Sequence, residues 1–396
     1  MTVKADPQQD VSCGATRPGA PAPGQRIVMV RMLSENDACV RLQSDAIVRG
    51  LADTPAFECG TYKPGAAGFG DRKIDCIGFH YNDIEAVRFL RSHRHLAPNA
   101  LIACFGADIY SYESYTQLHE LADLYVVPTE LHRSVLAAQL EAPVYALPEP
   151  VDPLAIAPDF DWNFPLKRTR RLGWFGYPES FYKGMLSLMP VIQRHLEAGT
   201  VDDFALLTDQ KRFPNDWNLK LKPFSRETFI TDLRAFDYVV VSHFPLDLHV
   251  NSLIKSANKA VTALVAGTIP IATDTPSYRE LFASLGLERF LVTSPRDLDR
   301  VLGGLDPDSD SALIRHSGAL DAIKHRLSDT NTARAFVDIL AACRDSAAQG
   351  SHRAVGARKT PVSYAQFSTE RVKLAPRLAR AIGNRLPWLA AKRAAE

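Results

Sequence analysis

Eighteen uninterrupted apolar residues occur nowhere in the 396-residue chain, so no segment has the length and character needed to cross a bilayer core as a helix. The N-terminus has neither an apolar h-region nor an Arg-rich amphipathic stretch, and the chain is expected to be neither secreted by a standard signal nor membrane-spanning. An excess of one charge is also missing. Lys plus Arg number 46 against 45 Asp plus Glu, giving a formal charge of +1, so no global basic field exists to hold nucleic acid. The six cysteines (Cys13, Cys39, Cys59, Cys76, Cys104, Cys343) form no C-x-x-C pair, which excludes a zinc ribbon, a thioredoxin motif and a secreted disulfide scaffold. Reduced thiols in a cytoplasmic protein fit this usage. No carboxylate pair resembling D-x-D sits at a predicted strand end to bind a metal, and no metal is expected; no cofactor is expected either.

What the sequence does contain is an ordinary soluble balance of 46% hydrophobic and 23% charged residues, with length enough for two cores. Residues 1–25 are rich in Pro, Gly and Ala without apolar period and read as a disordered leader. From Arg26 a short apolar run is followed by Ser34-Glu-Asn-Asp37 and a helical period through Leu51. Further apolar runs at Ile74 to Phe79, Ala100 to Phe105, Tyr125 to Val127 and Val144 to Leu147 alternate with helical stretches such as Asp83 to Arg94 and Glu113 to Ala122. This is the pattern of βαβ units around a parallel sheet, over residues 26–150. Prolines at 148, 150, 153, 158 and 165 mark a linker over 151–170.

The alternation then restarts over 171–345. Strands are expected at Leu172 to Phe175, Phe204 to Thr208, Tyr238 to Ser242 and Ile269 to Thr273; helices are expected at Gly184 to Ala198, Arg226 to Ala235, Ser252 to Ala266 and Pro276 to Leu285. The predicted fold class is α/β, with two doubly wound Rossmann-like domains facing a cleft. Residues 346–396 form a linker and a tail in which seven basic residues between Arg371 and Arg393 interleave with apolar ones. The tail is expected to dock on the protein as short helices, with contact to an anionic membrane surface as an additional role.

Four segments of the second domain carry the chemistry of an anion site. Gly176 ends a strand where backbone can approach a ligand, and Lys183 follows at the expected start of the next helix, a position where a phosphate partner explains a cation. Lys255, Asn258 and Lys259 fall on one face of a helix as a donor cluster, or as its solvated face. Ala266-Gly-Thr-Ile-Pro-Ile-Ala-Thr273 leads through a capping glycine into a buried strand. Pro276 opens a helix whose free amines near Thr275 and Ser277 form an anion site. His243 ends the strand before the Lys255 segment, either as a phosphate donor or as an ordinary loop histidine. In the first domain His80 and Asp108 follow successive strands, within reach of an acceptor hydroxyl as candidate bases, or as a structural histidine and a turn cap.

Lys183-Gly184 after a strand glycine, Asn258-Lys259, Ala-Gly-x-x-Pro-Ile-Ala and a capped helix bearing Glu280 resemble the nucleotide-sugar domain of GT-B glycosyltransferases, the group called group 1 or family 4. The resemblance covers Leu172 to Phe282. It extends into the first domain through Leu124-Tyr-Val-Val-Pro-Thr-Glu130 and Ala146-Leu-Pro-Glu-Pro-Val-Asp152. It implies that Lys183 contacts a donor diphosphate, that Pro223 and Phe224 hold the base, and that Lys255, Asn258 and Lys259 hold ribose and phosphate. The paired glutamates of that group fall here on Ile254 and Thr262, Tyr177 replaces its arginine, and Ser34-Glu-Asn-Asp37 replaces its first glycine-rich loop.

The expected function is therefore a metal-independent glycosyltransferase of hexosyltransferase type. A nucleotide-sugar donor would be held by Gly176, Lys183, Pro223, Phe224, His243, Lys255, Asn258, Lys259, Thr275, Ser277 and Glu280, and the acceptor would be a glycan, a lipid-linked glycan or a small molecule. The alternatives are a GT-B nucleotide-sugar epimerase and a non-catalytic nucleotide-sugar-binding subunit. The expected location is the cytoplasm, with peripheral contact at the inner face of a membrane.

Overall fold

The computed structural model describes residues 24–34, 37–109, 118, 121–153, 162–209, 219–243 and 250–348. Most of the expected leader, much of the Glu113 to Ala122 stretch and the basic tail lie outside the described residues.

Two parallel six-stranded sheets organise the chain. The first contains β1 (Gln25–Val30), β2 (Phe57–Tyr62), β3 (Cys76–His80), β4 (Leu101–Phe105), β5 (Leu124–Val127) and β6 (Val144–Ala146) in the order β2-β1-β3-β4-β5-β6. The second contains β7 (Arg171–Phe175), β8 (Asp203–Thr208), β9 (Lys220–Pro223), β10 (Tyr238–Val241), β11 (Ile269–Thr273) and β12 (Leu291–Val292) in the order β12-β11-β10-β7-β8-β9. Central strands such as β3, β5, β10 and β11 are buried at every residue, because helices cover both faces of a parallel sheet. Their continuous apolar runs made them legible. The strands β2 (Phe-Glu-Cys-Gly-Thr-Tyr) and β9 (Lys-Leu-Lys-Pro) lie at sheet edges, are half-exposed, and carry no such run.

Both sheets reverse strand order once. In the second, β7 lies between β8 and β10, so the chain winds outward in one direction through β8 and β9 and in the other through β10, β11 and β12. In the first, the reversal is at β1 and β3. Ligands of open α/β sheets bind beyond the carboxyl ends of the strands at such reversals.

Helix boundaries differ from the expectation in three places. The Gly184 to Ala198 helix is two, Pro178–Gly184 and Met189–Glu197, so Lys183 stands in the last turn of a helix rather than at a helix start. A cation is at home there, and the dipole argument for a phosphate at Lys183 lapses. The Ser252 to Ala266 helix is also two, Val250–Ile254 and Asn258–Val265, with Lys255 in the break. Lastly, Asp329–Ala348, whose first part the sequence assigns to the second domain, packs on the first: Ala333, Phe336, Leu340 and Cys343 share a core with Ile27, Met29, Ile47 and Phe105. Arg49 anchors its start through Asp329, with Nε to Oδ2 at 2.6 Å. An apolar stripe shows that a helix is buried, but not which sheet it returns to.

The expected linker is similarly absorbed at its far end. Phe164 lies in the core of the second unit, and Lys167 is buried with its Nζ donating to the Phe236 carbonyl at 2.9 Å. No helix among the described residues is long and apolar enough to cross a membrane.

Candidate functional site

At the reversal of the second sheet, β7 is followed by Gly176 with φ +148°, a conformation that favours glycine. A Cβ there would stand 2.8 Å from the Lys259 ammonium, so the absent side chain is what admits the lysine. Lys259 lies near the start of the Asn258–Val265 helix and reaches back across the sheet end to donate to the Phe175 carbonyl at 3.3 Å. Its ammonium lies 5.4 Å from the centre of the Trp174 ring and 5.6 Å from that of Phe175. Burial, with the nearby Lys255 adding repulsion, pulls its pKa down to about 8. Among the described residues no carboxylate pairs with it. A half-buried ammonium held by one carbonyl and two ring faces is short of an anion.

Of the other expected site residues, His243 lies near this ammonium. His243 donates its backbone N–H to Thr273 Oγ1 at 2.9 Å, and its ring stacks on Tyr278 with Nε2 3.1 Å from the phenol oxygen. Burial first, then Lys259 and Lys255, hold its pKa well below the usual imidazole value, so it is neutral near pH 7. Thr275 caps the Pro276–Leu285 helix by accepting from the Tyr278 N–H, and Ser277 Oγ donates to the Lys255 carbonyl. Phe224, just past β9, is 43% exposed and leans on Phe229, beside an exposed Pro223. Lys183 is exposed one residue before Gly184, whose carbonyl accepts from Ser242 Oγ at the end of β10. Glu280 is exposed and pairs with Arg326 at 2.6 Å.

The first unit contributes a hydrogen-bonded chain that sequence reasoning did not find. Val40–Ser44 forms a π-helical turn whose five residues are all buried, and it aims Gln43 between His80 and Glu149. His80 Nε2 meets Gln43 Oε1 at 3.0 Å, Gln43 Nε2 donates to Glu149 Oε1 at 3.2 Å, and Glu149 Oε2 accepts from Asn258 Nδ2 at 3.1 Å and from Ser256 Oγ. The chain therefore crosses from β3 to the second unit. Burial lowers the His80 pKa to about 4. Asn82 Oδ1 lies 2.5 Å from Nδ1, so each ring nitrogen faces the oxygen of a side-chain amide. His80 thus faces inward with both ring nitrogens engaged. Burial raises the Glu149 pKa, opposed by its bonds from Ser256, Asn258 and Gln43 and by Lys255.

Asp108, the other candidate base, forms an ion pair with Lys255 of the second unit. Next to it Asn251 grips the Ile109 backbone twice, accepting from the N–H at 2.6 Å and donating to the carbonyl at 2.9 Å. Thr129 Oγ1 donates to the Ile254 carbonyl at 2.9 Å, and Ile254 is fully buried within the first unit's core. The Val250–Ile254 helix is thereby a clasp between the units. Of the expected donor cluster, Lys259 faces β7, Asn258 faces Glu149 and Lys255 faces Asp108; the helix break turns three apparent neighbours in three directions.

Beside the clasp a cavity of about 460 Å³ opens between the units, bounded by residues that include Thr129, Pro148 and Glu149 on one side and Asn258, Ser277 and Glu280 on the other. Little in the sequence marked Gln43 or Asn251. Glu149 had one signal: an acidic residue between two prolines just after a strand.

No protein-family model and no curated protein matches the sequence. Solved structures do resemble it. An O-GlcNAc transferase mutant from Thermobaculum terrenum superposes with a TM-score of 0.55 at 13% identity, covering 85% of this chain and 71% of the other. The α,α-trehalose 6-phosphate synthase of Burkholderia multivorans gives 0.52 at 13% identity, over 85% of this chain and all (100%) of its own. The α,α-trehalose-phosphate synthase (UDP-forming) of Burkholderia vietnamiensis gives 0.50 at 12% identity, over 81% and 99%. With two parallel six-stranded sheets in the arrangement of these glycosyltransferases, the chain has the GT-B fold.

Proposed function

We propose that the protein is a glycosyltransferase that binds a nucleotide-sugar at the carboxyl end of the second sheet and an acceptor against the first unit. The observation that carries the reading is Lys259: a half-buried lysine whose ammonium has no carboxylate partner among the described residues, at the β7/β10 reversal, beside a glycine that leaves room for it. A diphosphate supplies the missing anion. Lys259 and the N-terminal amines of the Asn258–Val265 and Pro276–Leu285 helices stabilise charge developing on the leaving nucleoside diphosphate. His243, held neutral and oriented by Tyr278, donates to a phosphate oxygen only from the nitrogen that Tyr278 leaves free. The exposed face of Phe224 suits a base.

On the acceptor side His80 acts at a distance, orienting Gln43 and through it Glu149, and Asp108 stands in an ion pair with Lys255 of the second unit. The tail at 370–396 adds contact with an anionic membrane surface; sedimentation with anionic vesicles that is lost at high salt supports it, and none at low salt removes it. The transferase reading is tested by isothermal titration of uridine, adenosine and guanosine diphosphates into the full chain. Saturable binding of one of them that Lys259→Met weakens supports it. Equal binding by parent and variant places the anion elsewhere and overturns it.

A further inference from the structure

Residues 250–265 contain neither glycine nor proline, so no helix breaker separates the helix that ends at Ile254 from the one that starts at Asn258. The second helix also lacks a side-chain cap, since its N-cap residue is Ala257. The break between the two is held from outside. Lys255 pairs with Asp108 and its carbonyl accepts from Ser277 Oγ, while Glu149 Oε2 accepts from Ser256 Oγ and from Asn258 Nδ2 at 3.1 Å. Glu149 thus grips the residue on either side of the N-cap, the first helical residue included.

Successive residues of an α-helix point about 100° apart. With Asn258 turned to Glu149, Lys259 is turned toward β7, where its ammonium meets the Phe175 carbonyl and the space left by Gly176. Glu149 is itself held. It is buried between Pro148 and Pro150, and Gln43 Nε2 donates to its Oε1 at 3.2 Å from the π-helical turn of the first unit. The amides of Gln43 and Asn258 and the Ser256 hydroxyl all donate to it, so its part is that of an acceptor. The charged and titratable neighbours of Lys259 are Lys255 and His243. Burial first and then Lys255 bring its pKa from 10.5 to about 8, and a lysine released from this position titrates higher.

We propose that Glu149 is a positioning residue of the donor site: by holding Ser256 and Asn258 it fixes the start of the Asn258–Val265 helix so that Lys259 stands against Gly176, ready for a diphosphate. The inference rests on the transferase reading and adds to it a group from the crossover between the units. It acts through its acceptor oxygens and not through its charge. The chain from His80 through Gln43 to Glu149 then ties the aim of a donor-site lysine to the first sheet.

The test uses the full chain with lysine ¹³C-labelled at Cε, the Lys259 resonance being assigned through Lys259→Met. Its titration midpoint is read by NMR, and uridine, adenosine and guanosine diphosphates are titrated by calorimetry on the same samples. Glu149→Leu keeps the bulk and removes both oxygens. It is expected to move the Lys259 midpoint from about 8 toward 10.5 and to weaken diphosphate binding about tenfold or more. Glu149→Gln removes the charge but keeps an oxygen for Ser256 and Asn258, and is expected to restore both readings toward the parent values. The double change Ser256→Ala with Asn258→Ala, which cuts the same bonds from the other end, is expected to act as Glu149→Leu does and serves if that variant does not fold. A glutamine variant as impaired as the leucine variant would overturn the proposal by assigning the effect to charge. The two failures separate. An unmoved midpoint in Glu149→Leu, in a chain whose parent binds a diphosphate, overturns the positioning role and leaves the transferase reading intact. A midpoint that moves in a chain whose parent binds none supports the positioning of Lys259 and overturns the transferase reading.

Discussion

Lys259 and Gly176 have to be considered as one unit at the residue scale. Lys259→Met keeps the stem and removes the charge, and the expected loss is about 1 to 3 kcal/mol in diphosphate binding with little change in stability. Because burial and Lys255 bring the ammonium's pKa to about 8, the parent should hold diphosphate below that pH and release it as pH rises through that value; calorimetry at successive pH values checks the slope. Gly176→Ala should mimic the loss while also destabilising the fold, since the new Cβ meets the ammonium and the φ of +148° is strained for alanine.

Two buried histidines yield a second prediction at this scale. His132 is fully buried with both ring nitrogens lacking a hydrogen-bond partner, and burial, against Asp108 and with Lys255, lowers its pKa to about 4, the value His80 also has. Both folded values lie below the unfolded one of 6.5, so the unfolded chain binds more protons between them. Stability is then fully present above pH 6.5 and declines as pH falls toward 4, by about 1.4 kcal/mol per pH unit for each histidine. His132→Leu should flatten this dependence in urea titrations between pH 7 and pH 4.5 and cost little at pH 7; an unchanged slope would remove His132 from the account.

Among the elements, the Val250–Ile254 helix has the clearest consequence. It belongs to the second unit by chain position and to the first by contact, through Ile254, Asn251 and Lys255. Asn251→Ala leaves the buried Ile109 N–H and carbonyl without the partner that now serves both, and should cost about 1 to 3 kcal/mol. Amide exchange at Ile109 and in the clasp helix should rise, with exchange in β7 and β10 unaffected. This element also marks where sequence reading stopped. The central strands and the Pro276–Leu285 helix were legible because burial on both faces and a proline at the first helical position write themselves locally. The break at Lys255 was not, because Ser256 and Asn258 leave a continuous helical path for Glu149, a residue about a hundred positions away in the chain. Edge strands β2 and β9 failed for a related reason: half-exposed pairing needs no apolar run.

At the scale of the molecule, the chain crosses between units twice and ties the crossings together. Val151 N–H donates to the Leu327 carbonyl at 2.9 Å, and Arg41 holds Asp152 through two bonds, Nε to Oδ1 at 3.1 Å and Nη2 to Oδ2 at 2.8 Å. The buried pair sits next to Gln43 on the same π-helical turn, so the crossover that carries Glu149 is fixed to the first unit on both sides of that residue. After the second crossing the Asp329–Ala348 helix closes one face of the first sheet. Phe336 is fully buried there, 5.4 Å from the Phe105 ring, with Leu340 and Cys343 along the same stripe. Phe336→Ala removes a large ring from a core that cannot collapse around the gap without moving β1 and β4, so about 3 to 5 kcal/mol should be lost. Because the second unit's core contains none of these residues, the loss should be confined to one half of the molecule. Hydrogen exchange followed by mass spectrometry reads this directly: faster exchange in Gln25–Val30, Leu101–Phe105 and Leu124–Val127, unchanged exchange in Tyr238–Val241 and Ile269–Thr273, and diphosphate affinity held at the parent value. Faster exchange in both sheets would mean instead that the clasp and the paired crossings join the two cores into a single cooperative unit.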